Sequence, residues 1–276
     1  MREDILYLEE KAQELRKNVL TMIYKAQSGH PGGSFSLADI ITVLYYSVLH
    51  IDPKHPTSDQ RDRLILSKGH VCPVLYAILA MKGYYDMEVL ATLRQLGSIL
   101  QGHPDMNKVP GVDMTTGSLG QGISAGVGMA IGLKAKLSKR KVFVMVGDGE
   151  TNEGQVWEAA MCAVKYKLDN MVVIVDRNNL QNDGGCKDIM PTESMKEKWA
   201  AFGWQVFEVD GHDIQALLAV FAQIDTVVDK PICIVAKTVK GKGVSFMENI
   251  CEWHGMAPND EQYKEALCEL GQGVTR

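Results

Sequence analysis

What the 276 residues lack narrows the field first. Apolar stretches such as Val172 to Val175 are far too short to cross a bilayer. No apolar segment follows the charged start Met1-Arg2-Glu3-Asp4, so no signal peptide is visible. Basic residues are not in excess: 29 Lys and Arg stand against 34 Asp and Glu, and a nucleic-acid binder needs a basic face. Only nine prolines are present, with no repeat and no low-complexity tract, which excludes fibrous and disordered classes. The six cysteines (72, 162, 186, 233, 251 and 268) form no C-x-x-C pair, so they read as reduced cytosolic thiols. What remains is a soluble α/β protein of the cytoplasm, long enough for a sizeable core.

Hydrophobic spacing sets the elements. Ile5, Leu8, Ala12, Leu15, Val19, Met22 and Ile23 recur at helical intervals, predicting a helix over 5–27. A Gly-Pro-rich turn at 29–33 leads into a second helix over 36–49. A short strand follows at 63–67, then helices over 73–81 and 86–96, a Gly, Pro and Asp-rich loop over 97–117, and a helix of small residues over 118–138. Continuous apolar runs at 142–146 and 171–175 flank a helical segment at 153–167, the pattern of a parallel sheet covered on both faces. Strands at 205–209 and 232–236 flank a helix at 213–228, and a last helix runs over 258–269. The expectation is a single doubly wound α/β domain over 1–276, its mainly parallel sheet flanked by helices, with a helical N-terminal arm.

Ligands of open parallel sheets bind at the carboxyl ends of the strands. Gly147-Asp148-Gly149 ends one apolar run and Asn178 follows the next, 30 residues on. That is one strand–helix–strand unit, so the two oxygen-bearing side chains arrive side by side. A helix starting near Asn152 turns its free N–H groups toward the same edge, which suits a phosphate. A hard cation such as Mg²⁺ wants about six oxygens, part of them from substrate phosphates. Five of the seven histidines adjoin a glycine, at 30, 70, 103, 212 and 254. A neighbouring glycine gives a functional side chain room for a ligand.

The Gly-Asp-Gly and Asn pair resembles the diphosphate-binding motif of thiamine-diphosphate enzymes. Further segments are similar to transketolase in order and spacing: Ser28-Gly29-His30-Pro31-Gly32, Lys68-Gly69-His70, Gly102-His103-Pro104, Thr115-Thr116-Gly117-Ser118-Leu119-Gly120-Gln121-Gly122 and Trp253-His254-Gly255. The resemblance spans residues 28–255. It implies that Asp148, Asn178 and the Leu180 carbonyl hold the metal, Mg²⁺ or Ca²⁺. It implies that His70, His254, Gly147 and Gly149 lie against the diphosphate and that Gly117 and Leu119 frame the thiamine. His30 and His254 would move protons at the substrate oxygens, and His103 would orient the donor ketose near its C1 hydroxyl. Glu153 and Glu158 resemble the acids that couple two sites across a dimer. The implied reaction moves a two-carbon ketol unit from a ketose (phosphate) to an aldose. The chain corresponds to the first of the three transketolase domains. The resemblance therefore implies a second, C-terminal subunit with the pyrimidine-binding domain and its activating glutamate, in an α2β2 assembly. The sequence departs from the family at Gly33-Ser34-Phe35-Ser36, where many members have Ala-Pro-Leu-Gly, and at Asn182, which is apolar in long members.

Other readings compete. The α-subunit of a 2-oxoacid dehydrogenase also pairs Gly-Asp-Gly with Asn, but normally lacks the Ser-Gly-His-Pro-Gly segment. A 1-deoxyxylulose-phosphate synthase has an unsplit chain. Gly120-Gln121-Gly122-Ile123-Ser124-Ala125 fits a dinucleotide-binding fingerprint, yet no buried strand precedes it. A non-catalytic cofactor-binding subunit would have no need of His30 and His103. His212 reads as the entry to a helix capped by Asp213, and is left out of the site. His50 and His55 read as solvated. Lys237, Lys240 and Lys242 read as a solvated charged loop, with closure of Gly241-Lys242-Gly243 over the cofactor as the alternative.

Overall fold

The structure is a computed structural model that describes residues 2–271. Met1 and residues 272–276, part of the expected 1–276 span, lie outside the described residues. Five strands form one all-parallel sheet: β1 (Arg63–Leu66), β2 (Val142–Gly147), β3 (Met171–Arg177), β4 (Gln205–Asp210) and β5 (Ile232–Lys237). Their order across the sheet is β1-β2-β3-β5-β4. Each begins where expected and ends within two residues of the expected end. The apolar runs are continuous because both faces are covered, and alternate residues feed two cores. Phe143, Met145, Val172, Ile174, Ile232 and Ile234 face one core. Val144, Val146, Val173, Val175, Cys233 and Val235 face the other.

The first core is closed by α1 (Arg2–Ala26), α2 (Pro31–Ser36), α3 (Ala38–Val43) and α4 (Cys72–Met81). The apolar stripe of α1 buries Leu8, Ala12, Leu15, Val19, Met22 and Ile23. The second core takes α5 (Gln121–Ala135), α6 (Gly154–Lys165) and α8 (Met195–Ala201), with Trp199 fully buried; the short α7 (Cys186–Ile189) precedes α8. The first core also receives α9 (Ile214–Phe221) and α10 (Asp260–Gly271). Among the described residues no helix is long and apolar enough to cross a membrane.

Several expected boundaries are corrected. The Gly29–Gly33 turn is already helical from Pro31, which takes the first helical position where its missing N–H costs nothing. The helix expected over 36–49 starts only at Ala38. The Ser36 hydroxyl bonds the Gly33 carbonyl and Asp176, the chain restarts as α3, and a π turn follows at Leu44–Val48. Residues 86–96 form only a 3-10 turn, Met87–Thr92, where Thr92 bonds back to the Val89 carbonyl at 2.7 Å. The helix expected over 118–138 starts only at Gln121, because Gly120 has a left-handed φ of 80°. The helix expected over 213–228 stops at Phe221. The short helices α7 and α8 were not foreseen.

The long loop before α5 is pinned from below. Asp113 accepts from Arg61 at 3.0 and 2.5 Å and from the Leu64 amide at 2.8 Å, tying the loop to the start of β1. Both side chains are buried. Removing one partner strands the other, at a cost of about 3–5 kcal/mol. Asp113→Ala is therefore expected to lower the unfolding free energy by about that much. An unchanged urea midpoint would contradict it.

Candidate active site

Sheet register brings the functional residues to one edge. Gly147, Asp176 and Ala236 stand in line at the carboxyl ends of β2, β3 and β5. Asp148 leaves β2 and bridges the two strand ends. Its carboxylate accepts from the Gly149 amide at 2.7 Å and the Asn179 amide at 2.6 Å. Asn178 lies beside it, its Oδ1 accepting from the Leu180 amide at 3.1 Å and its Nδ2 donating to Asp176 at 3.2 Å.

Asp176 is wholly buried. It accepts from Lys68 Nζ, Ser36 Oγ at 2.5 Å, Thr238 Oγ1 and Asn178. Burial works to raise its carboxyl, but the Lys68 ammonium and these donors hold it below the usual range. Asp148 behaves oppositely. Burial first, and then the neighbouring Asp176 charge, push it up to about 6. Glu150, also buried, accepts from the Gly147 and Gly120 amides at 3.0 Å and from Ser67 Oγ at 2.5 Å, and so ties the strand end to the start of α5.

A cleft of about 250 Å³ opens over this floor. His70, Leu119, Gly147, Asp148, Gly149, Asn178, Leu180 and His254 all line it. His254 lies on a 3-10 turn, Cys251–His254. His30, His70 and His254 form a triangle with ring centroids 5.1–5.4 Å apart. Burial, and then Lys240, push His254 down to about 3. Burial, Arg94 and His103 push His30 down to about 4. These rings are neutral at physiological pH. His103 packs on Gly117, whose φ of 153° disfavours a side chain and whose Cβ would stand 3.1 Å from the ring. His30, His103 and Gly117 are not part of the cleft lining itself, and Glu153 and Glu158 lie outside it too, both exposed on α6 or at its start.

Lys240 corrects the solvated-loop expectation. It is 2% exposed, and its ammonium donates to the Leu180 and Gln181 carbonyls at 3.3 and 3.1 Å and lies 2.9 Å from His254 Nδ1. Burial, and then Lys68, lower it to about 8. Lys237 is exposed and Lys242 half-buried. Gly241 donates to the Gly32 carbonyl at 2.9 Å, so in this structure the loop is packed against α2. Lys68, Asp176, Glu150 and Gln181 were also missed. Lys68 stood two residues before a noted histidine and Asp176 closed an apolar run, which were the available signals.

An acid and an amide thus stand on adjacent parallel strand ends of an α/β chain, in a cleft also lined by the stacked rings of His70 and His254. Residues 8–274 match the family model described as transketolase, thiamine diphosphate binding domain, and the chain belongs to the transketolase family. It is 43% identical over 269 residues to an apulose-4-phosphate transketolase subunit of Phocaeicola vulgatus, covering 98% of this chain and 95% of that one. It is equally identical, over 270 residues and 98% of both chains, to the 6-deoxy-6-sulfo-D-fructose transketolase subunit SqwG of a Clostridium species. The transketolase of Campylobacter jejuni superposes with a TM-score of 0.91 at 37% identity; 97% of this chain covers 43% of that one. The chain thus spans less than half of that transketolase, but nearly all of the subunit-type relatives.

Burial and then Lys68 push His70 down to about 2. In the unfolded chain the ring titrates near 6.5. Below that pH the unfolded state takes up a proton that the folded state does not, so stability falls as pH falls. Between pH 7 and pH 5 this one ring accounts for a loss of about 1–2 kcal/mol. His70→Gln should show a correspondingly smaller loss in urea unfolding. An equal loss in both proteins would contradict the assignment.

Proposed function

We propose that this chain is the diphosphate-binding subunit of a two-subunit transketolase that transfers a two-carbon ketol unit from a ketose (phosphate) to an aldose. The observation that carries it is the cleft itself. Asp148 and Asn178 share it with His70 and His254, whose neutral rings form a triangle with His30, in a chain that matches subunit-type relatives nearly end to end.

The donors fit a hard divalent cation. Asp148, Asn178 Oδ1 and the Leu180 carbonyl are all oxygens, and the raised Asp148 carboxyl marks a buried site short of positive charge. These three would hold Mg²⁺ or Ca²⁺ together with the diphosphate. Lys240 has carbonyl and imidazole neighbours but no carboxylate within ion-pair distance among the described residues, so a diphosphate would complete its pairing. His70, Gly147 and Gly149 would lie along the same group, with Gly117 and Leu119 framing the thiamine.

Thiamine diphosphate, when bound, supplies the carbanion nucleophile and electron sink that carry the two-carbon unit. The chain's own residues bind, orient and move protons. His30 and His254, neutral at physiological pH, can accept a proton from a substrate hydroxyl and return it to an oxygen. Lys240 occupies the Nδ1 side of His254, which leaves Nε2 as the atom that exchanges a proton. His103 orients the C1 end of the donor. Glu153 and Glu158, exposed, would meet a second copy.

The pyrimidine end requires a C-terminal subunit, which we place over the cleft in an α2β2 assembly. Two relatives named as subunits support a partner. The six free cysteines suit a reducing cytoplasm.

The test is transfer from xylulose 5-phosphate to ribose 5-phosphate with thiamine diphosphate and Mg²⁺, by this chain alone and with its partner subunit. Activity is expected only with both. Full activity of the lone chain would overturn the two-subunit reading. Asp148→Ala should lose more than about 100-fold, beyond the 10- to 100-fold typical of disturbing an outer partner of a metal ligand. His103→Ala should raise the donor KM about tenfold and leave the acceptor KM unchanged.

A further inference from the structure

We infer that His212, outside the cleft, is a positioning residue for the site: it fixes the backbone at Val239 and thereby aims Lys240. This rests on the reading of the cleft as a diphosphate site.

The path is short and every link is a direct contact. At the carboxyl edge, β4 and β5 end side by side. The Gly211 amide donates to the Lys237 carbonyl at 2.7 Å, and a Cβ on Gly211 would collide with Thr238. The loop after β4 is thus pressed onto the strap after β5. His212 Nε2 accepts from the Val239 amide at 2.8 Å, and its Nδ1 lies 2.7 Å from Asp39 Oδ2. An amide N–H can only donate, so Nε2 is the bare nitrogen and Nδ1 carries the proton toward Asp39. Asp39 is locked in turn by the Arg16 guanidinium at 2.9 and 2.5 Å. Buried charge on α1 and α3 therefore fixes both the tautomer and the plane of the ring.

On the strap, each residue from 238 to 241 is tied. Thr238 reaches Asp176, Val239 reaches His212, the Lys240 carbonyl accepts from Asn249 at 2.9 Å and Gly241 reaches Gly32. Only the Val239 tie comes from the β4–α9 loop. A lysine has a long, rotamer-rich stem, so the placement of its ammonium depends on a fixed backbone. Misplacement of a site group by about 1 Å can cost about 100-fold.

Two variants separate the ring's two bonds. In His212→Asn the shorter side chain keeps Asp39 but does not reach Val239; in His212→Gln the amide oxygen replaces Nε2. Calorimetry with inorganic pyrophosphate and Mg²⁺ on the full chain should show His212→Asn binding about tenfold more weakly, within the range of coupling between neighbours, and His212→Gln near wild type. In a Lys240→Met background, His212→Asn should add less than about twofold. An equal loss in both backgrounds, or no loss in either, would overturn the proposal. If the wild-type chain binds no pyrophosphate, the diphosphate reading fails, and a ligand-free readout still decides the role of His212. NMR titration of the His254 ring should move its pKa toward 6.5 in His212→Asn as Lys240 swings away. An unmoved His254 would overturn the proposal on its own.

Discussion

A single buried carboxylate organises the carboxyl edge. Asp176 gathers side chains from four places: Ser36 at the end of α2, Lys68 after β1, Thr238 after β5 and Asn178 just beyond its own strand. An ion with no exposure is tolerated only when it is paired and its remaining lone pairs are filled, and Asp176 meets both conditions. Each donor is thereby fixed in place. Lys68 becomes part of the cleft wall, α2 is drawn to the sheet edge, and Asn178 is held by its amide nitrogen while its oxygen accepts from the Leu180 amide. The strand ends supply the register and this carboxylate supplies the convergence.

Burial and neighbouring charge set the electrostatics above it. Burial first, and then the ionised Asp176, raise Asp148, while burial, and then the lysines, depress the imidazoles. The floor is therefore an acid short of positive charge, and the walls are neutral bases beside cations. On the proposed reading a divalent cation would relieve the floor and a diphosphate would relieve Lys240. A metal–diphosphate pair would satisfy both, where either alone would leave one side unbalanced.

Much of this was legible in the sequence because the signals were local. Continuous apolar runs marked β2 and β3, since strands covered on both faces leave no room for polar alternation. Asp148 and Asn178 were legible because one strand–helix–strand unit sets their spacing. The failures have physical causes as well. The start of the 36–49 helix was misplaced because nothing in its pattern shows that Ser36 is needed by Asp176, 140 residues away. Lys240 looked solvated because lysines after a strand usually are; its burial depends on Leu180, Gln181 and His254, all distant in sequence. His212 was correctly seen beside a helix cap, and Asp213 does cap α9 through the Ala216 amide at 2.9 Å. Its ring faces the other way, toward Asp39 and Val239, and only the sheet order reveals that.

The central claim is that Asp176 assembles the diphosphate end within this chain. Thiamine diphosphate titrated into the full chain, with and without Mg²⁺, tests it most directly when the wild type and Asp176→Asn are compared. The account predicts Mg²⁺-dependent binding by the wild type and at least about a tenfold loss in the variant, whose far-UV dichroism stays native. Equal affinity in the two proteins, or wild-type binding indifferent to Mg²⁺, would contradict it.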